Sequence, residues 1–218
     1  MFGLDTALAG ASDGTTLLVV LGIALLLGLR HATDPDHLAA VTTLAAGDGR
    51  AAARLGLAWG VGHGTSLLAF GLPIVLYRAY LPEAVQKGAE AAVGALIVGL
   101  ALSLLVRWHR GAFGPHGHPR RTRTRAGAFA IGLVHGTGGS AGVGVLLLAA
   151  IPGHGLAVAS LALFAVATAA SMTVLSGGFG RTVGARPIAR LAPVLGTAGL
   201  AFGVWYMLGA FDLAPYVF

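Results

Sequence analysis

Cysteine is absent from all 218 residues, and methionine occurs only three times. That excludes disulfides, thiolate nucleophiles and sulfur-ligated metals together, and disfavours a soft ion such as Cu(I). A metal here has to be held by nitrogen and oxygen. Charge is scarce as well: Asp, Glu, Lys and Arg make up 10% of the chain, against about 25% in an average soluble domain. A water-facing surface needs more ionisable side chains than that. With 56% hydrophobic residues and a mean hydropathy of +0.82, the surface suits lipid. The 35 glycines follow no Gly-X-Y period, so collagen is excluded, and glycine with alanine is what membrane helices use for close backbone approach.

What is present is a series of apolar stretches, near 15–33, 55–79, 90–108, 126–150, 155–177 and 192–212. Each is long enough to cross ~30 Å of hydrocarbon as a helix rising ~1.5 Å per residue. None shows the period-2 alternation of an outer-membrane barrel, and an isolated span must satisfy its own backbone hydrogen bonds. The expected fold class is therefore all-α: a polytopic membrane protein of about six transmembrane helices, forming one transmembrane domain over 1–218. Residues 1–14 contain no Lys or Arg, so the first stretch is expected to stay in the mature protein.

Loop charges orient the bundle. Arg50, Arg54, Arg107, Arg110, Arg120, Arg121, Arg123, Arg125, Arg181, Arg186 and Arg190 fall on one side, and only Arg78 and Lys87 on the other. The positive-inside rule makes the arginine-rich side cytoplasmic and both termini external, in a cell membrane. The run Arg120–Arg125 is a topogenic loop in this reading. It lacks interleaved aromatics, and no nucleic-acid partner is expected.

Against this background Arg30-His31-Ala32-Thr33-Asp34-Pro35-Asp36-His37 stands out, with five ionisable groups in eight residues at the end of the first stretch. Ionisable side chains at membrane depth are costly and mark function. The apolar pattern resumes at Leu38–Ala46, so the whole resembles one helix broken near its middle. On a straight helix His31, Asp34 and His37 share a stripe, while Asp36 lies ~140° away from His31. Pro35 has no N–H and clashes with the His31 carbonyl, which kinks or unwinds the helix and offers Asp36 a way to the same side. Two imidazoles with one or two carboxylates suit a first-row divalent ion such as Ni²⁺, Co²⁺ or Zn²⁺. Arg30 is expected to face away or to balance a carboxylate.

Two further histidines lie inside apolar stretches between glycines, His63 in Gly62-His63-Gly64-Thr65 and His135 in Val134-His135-Gly136-Thr137. A single such histidine is ordinarily a core residue bonded to a carbonyl. Glycine on its flanks, at a cost in helix propensity, points instead to close helix approach. The candidate metal ligands are thus His31, Asp34, Asp36, His37, His63 and His135.

A weak internal repeat accompanies them. Gly28–Thr33 matches Gly132–Thr137, and Trp59–Ser66 matches Phe164–Ser171 with a slip of one residue, which sets His63 against Thr168. The copies are separated by an odd number of spans, so they run in opposite senses, as in the inverted three-plus-three repeats of secondary transporters. The first repeat covers about 15–108, a cytoplasmic basic and histidine-bearing loop 109–125, and the second repeat about 126–212, with the first and fourth helices broken. His109, His116 and His118 belong to that Gly/Pro-rich loop and are either transient metal contacts or plain linker residues. A cytoplasmic metallochaperone is a candidate partner for them. His154, after Pro152-Gly153, is expected to be an ordinary turn residue.

The segment His31 to His37, a His-x4-Asp-His motif, resembles that of the nickel/cobalt transporter family, and Gly62-His63-Gly64-Thr65 and Val134-His135-Gly136 with Ser140-Ala141 resemble its supporting motifs. Size and span number are most like its compact, urease-accessory-type nickel permeases. The resemblance implies transport of Ni²⁺ or Co²⁺ as substrate, with His31, Asp36 and His37 essential, His63 nearby and no prosthetic group. The chain departs from larger members at Pro35, where they carry Ala, and at Thr42-Thr43, where they carry Asp-Asn. The short loop favours uptake over efflux. An intramembrane metal-dependent hydrolase is a weaker rival, on the premise that no Glu lies within the spans and no His-Glu-x-x-His is present. A haem carrier with axial histidines is weaker still.

Overall fold

The computed structural model describes residues 2–44, 49–77, 81–113, 124–138, 141–151, 153–182 and 185–215. Every regular element among them is an α-helix: α1 (Phe2–His31), α2 (Pro35–Leu44), α3 (Gly49–Tyr77), α4 (Glu83–His109), α5 (Arg125–His135), α6 (Ala141–Ala149), α7 (His154–Thr182) and α8 (Ala185–Ala210). Arg50–Tyr77, Glu83–His109, His154–Thr182 and Arg190–Ala210 are each long and apolar enough to cross a membrane. A fifth candidate is the pair Leu17–His31 and Pro35–Val41, bent by 50° at the intervening break. The stretch near 126–150 holds two short helices, α5 and α6, of 11 and 9 residues. Neither alone reaches the ~20 residues that a span needs.

Both breaks follow from local chemistry. Pro35 opens α2 because a proline has no N–H to give and suits the first helical turn. The two residues before it close tight turns, Thr33 N–H to the Arg30 carbonyl at 2.8 Å and Asp34 N–H to the His31 carbonyl at 3.1 Å. α5 stops at His135 in a sequence too rich in glycine to propagate a helix; Gly136 N–H and Thr137 N–H still bond back to Gly132 and Val134.

Lipid offers no hydrophobic drive between helices, so packing depends on how closely backbones approach. Helix α3 meets that demand on two faces. Gly56, Gly60 and Gly64 lie one above another, and a methyl group on each would meet Met172 and Ser176, then Ala169, then Ala165 of α7. The partner numbers fall as those of α3 rise, so the two helices are antiparallel. On its other face Gly62 meets Phe129 and Leu133 of α5, while Gly132 of α5 meets the Trp59 carbonyl. α3 is thereby held between α5 and α7, with α1 against α7 and α4 against α8. His154, at the turn into α7, donates from Nε2 to the Leu76 carbonyl at 3.0 Å.

Candidate metal centre

The C-terminus of α1, the N-terminus of α2, the middle of α3 and the C-terminus of α5 converge. They bring His31, Asp36, His37, His63 and His135 together, all buried. His31 Nε2 and His63 Nε2 stand 3.1 Å apart. Two nitrogens sharing one ion at about 2.0–2.1 Å are themselves about 2.9–3.4 Å apart, depending on the angle at the metal. His37 lies against both, its ring centroid 4.5 Å from that of His31 and 4.9 Å from that of His63. On its other side the His135 ring is 4.5 Å away.

The carboxylates hold the rings. Asp36 accepts from His37 Nδ1 through Oδ1 and from His135 Nε2 through Oδ2, each at 3.1 Å. Asp34, with a side chain 13% exposed, accepts from His31 Nδ1 at 2.9 Å. An imidazole that donates from one nitrogen presents a lone pair at the other, the arrangement that carboxylates impose on metal-binding histidines. His37 Nε2 and His135 Nδ1 are those opposite nitrogens, and both are buried with no hydrogen-bond partner; His63 Nδ1 is a third orphan. Buried ring nitrogens without partners are costly in a packed interior, and coordination relieves that cost.

The donors form two sets, His31–His37–His63 and Asp36–His37–His135, with ligand atoms within 4.8 Å of one another in each. His37 belongs to both. Nitrogen with carboxylate oxygen and no sulfur is the donor chemistry of nickel, cobalt and zinc.

All six sequence candidates therefore lie in one place, but not as a straight helix would arrange them. Asp36 is in the centre, and Asp34 stands behind His31. Arg30 is exposed, in line with its expected outward direction. His109 closes α4 and is exposed, while His116, His118 and Ser140 lie outside the described residues.

Three buried residues escaped the sequence reading. Trp59 packs its ring 5.5 Å from His37 and 5.6 Å from His135, and Phe164 packs 5.4 Å from His31. Trp59 stands one turn before His63 on the same face of α3, a spacing visible in the sequence. The third is Glu90. The premise that no glutamate lies within the spans fails, because Glu90 is buried in α4.

One relative among known proteins agrees with the motif reading. The chain is 26% identical over 212 aligned positions to urease accessory protein UreH of Bacillus sp. (strain TB-90), covering 89% of this chain and 93% of that protein. No protein-family model and no solved structure matches it. The similarity runs through nearly the whole of both chains, and it supports the resemblance to the urease-accessory nickel transporters that His31 to His37 carry.

Proposed function

We propose that this chain is a permease, not an enzyme, that carries a divalent transition-metal ion across the cell membrane in the direction of uptake, nickel first and cobalt next. The observation behind this reading is the pair of donor sets that share His37, a residue buried between two helix breaks whose Nε2 has no hydrogen-bond partner. His31, His37, His63 and His135 with Asp36 bind the partly dehydrated ion, and Asp34 orients His31. Because His37 serves both sets, the ion passes from the His31–His63 side to the Asp36–His135 side without losing all its ligands at once. Neutral imidazole and ionised carboxylate are the binding forms.

The proposed scaffold has six spans in two inverted repeats, α1–α2, α3 and α4, then α5–α6, α7 and α8, with the arginine-rich loops cytoplasmic. Two pairs of equivalent contacts support the repeat. A methyl group on Gly28 would meet the Phe164 carbonyl, and one on Gly132 would meet the Trp59 carbonyl. His31 packs on Phe164 at 5.4 Å as His135 packs on Trp59 at 5.6 Å. Such paired contacts are what an inverted repeat would produce.

The test is metal flux into proteoliposomes, comparing Ni²⁺, Co²⁺ and Zn²⁺ for the wild type and His37→Ala. Flux in the order Ni²⁺, Co²⁺, Zn²⁺ that the substitution abolishes is the expected result. Wild-type flux from a correctly inserted His37→Ala protein, or no flux of any metal by the wild type, sinks the proposal.

A further inference from the structure

A buried carboxylate outside the histidine cluster has no role so far. Glu90 lies on the inward face of α4, 7% exposed, in line with Val93, Gly94 and Ile97. Carboxylates inside membrane helices ordinarily pair with a cation. Lys87, one turn away, is the obvious partner, yet its Nζ is committed elsewhere, to Asp212 at 2.6 Å and Glu83 at 2.8 Å. Among the described residues Glu90 receives only the neutral side-chain amide of Gln86, at 3.2 Å.

Its position is what gives it meaning. A methyl group on Gly138, just past the end of α5, would stand 3.0 Å from the backbone nitrogen of Glu90. Gly138 is three peptide steps from His135, at most ~11 Å of chain at ~3.8 Å per step. Gly136, between them, meets the His63 backbone and Ser66. The Glu90 backbone therefore lies beside the break through which α5 leaves the candidate centre, toward the end of the bundle where α3 stops and α4 begins. Loop charge makes that end external. Among the described residues no cation pairs with the Glu90 side chain, which lies at the level of the break after His135.

Resting on the transport reading above, we propose that Glu90 is a second cation station, which takes a divalent ion still carrying water and relays it past Gly136–Gly138 to the histidine centre. A single carboxylate suits that task. It attracts the ion without stripping its remaining ligands, so release to the nitrogen-rich centre stays fast.

Glu90→Gln tests this because the amide keeps the shape and an acceptor for Gln86 while removing the charge. Two readouts are needed: equilibrium Ni²⁺ binding to the purified protein, and initial Ni²⁺ flux into proteoliposomes below saturation. The expected result is binding within about threefold of wild type and flux lowered about tenfold or more, with Glu90→Asp between the two. Unchanged flux in Glu90→Gln overturns the relay, since a packing role would survive the isosteric change. Loss of equilibrium binding in both variants overturns it too, by making Glu90 part of the centre itself. Failure of the transport reading looks different, because the wild type then shows no flux at all.

Discussion

The two helix breaks that border the candidate metal centre are built from opposite chemistry. The first, between α1 and α2, is dense in donors: His31 before it, Asp34 within it, Asp36 and His37 just after it. The second, after α5, offers among the described residues one candidate donor, His135, and then Gly136, Thr137 and Gly138. The first break turns side chains inward. The second keeps side chains out, so that α5 and its exit lie against the backbones of α3 and α4. A centre built to bind a small ion among three helix ends and the middle of a fourth helix needs both: ligands from one segment, and from the other the space that lets them converge.

If that division holds, the largest effect follows from filling the second break. A Cβ on Gly136 would stand 2.5 Å from the His63 carbonyl oxygen and 3.0 Å from Ser66 Cβ. No flexible side chain is there to yield, so Gly136→Val has to push α5 from α3 at the level of His63. We expect loss of Ni²⁺ binding by about a hundredfold or more, with a lowered thermal midpoint in detergent. Gly99→Ala, at a glycine with nothing within 4 Å, is the control and leaves both unchanged. Calorimetric titration with wild-type affinity for Gly136→Val would show that the second break has no spacing role.

The next effect tests how the first break works. Both oxygens of Asp36 are engaged by imidazoles, His37 and His135. An asparagine offers one acceptor, and its NH₂ faces a ring N–H, so Asp36→Asn satisfies one histidine and misorients the other. Orienting carboxylates of this kind cost about 10–100-fold in metal affinity when removed. We expect a loss toward the upper end of that range, with the ligand-field spectrum of bound Ni²⁺ changed, since the proposed centre also uses Asp36 as a ligand. A retained spectrum would instead make Asp36 an orienting group alone and shift the division of labour between the breaks.

The same contrast explains what was legible in the sequence. Composition and the spacing of apolar stretches are one-dimensional signals of a lipid-facing helical chain, and the ionisable cluster at 30–37 announced the centre because charge is so rare elsewhere. Pro35 made the first break readable, since proline acts locally. The place of Asp36 was readable only in part: it depends on how the chain turns at residues 32–34 and on His135, 99 residues away. Trp59 and Phe164 were hidden because an aromatic residue in an apolar helix looks alike whether it lines a site or faces lipid. Glu90 was overlooked because it sits on the edge of its apolar stretch, where a carboxylate ordinarily belongs to water; only the fold turns it inward.

The smallest effect is expected at Asp34, and it is the sharpest probe of the first break. Asp34 is in the turn rather than in either helix, and its contact with His31 Nδ1, at 2.9 Å, is closer than those of Asp36. Distance alone would rank it above Asp36. Burial reverses the order: the Asp34 side chain is 13% exposed against 5% for Asp36, so water is at hand to replace the lost bond. Asp34→Asn also keeps an acceptor for His31 in one of its two amide orientations, so the ring retains its place and loses mainly the charge behind it. We expect Ni²⁺ affinity reduced about tenfold or less, at the low end of the range for such partners. A loss as large as that of Asp36→Asn would mean that the His31–His63 side is the stronger of the two donor sets, and that the ion rests there rather than beside Asp36.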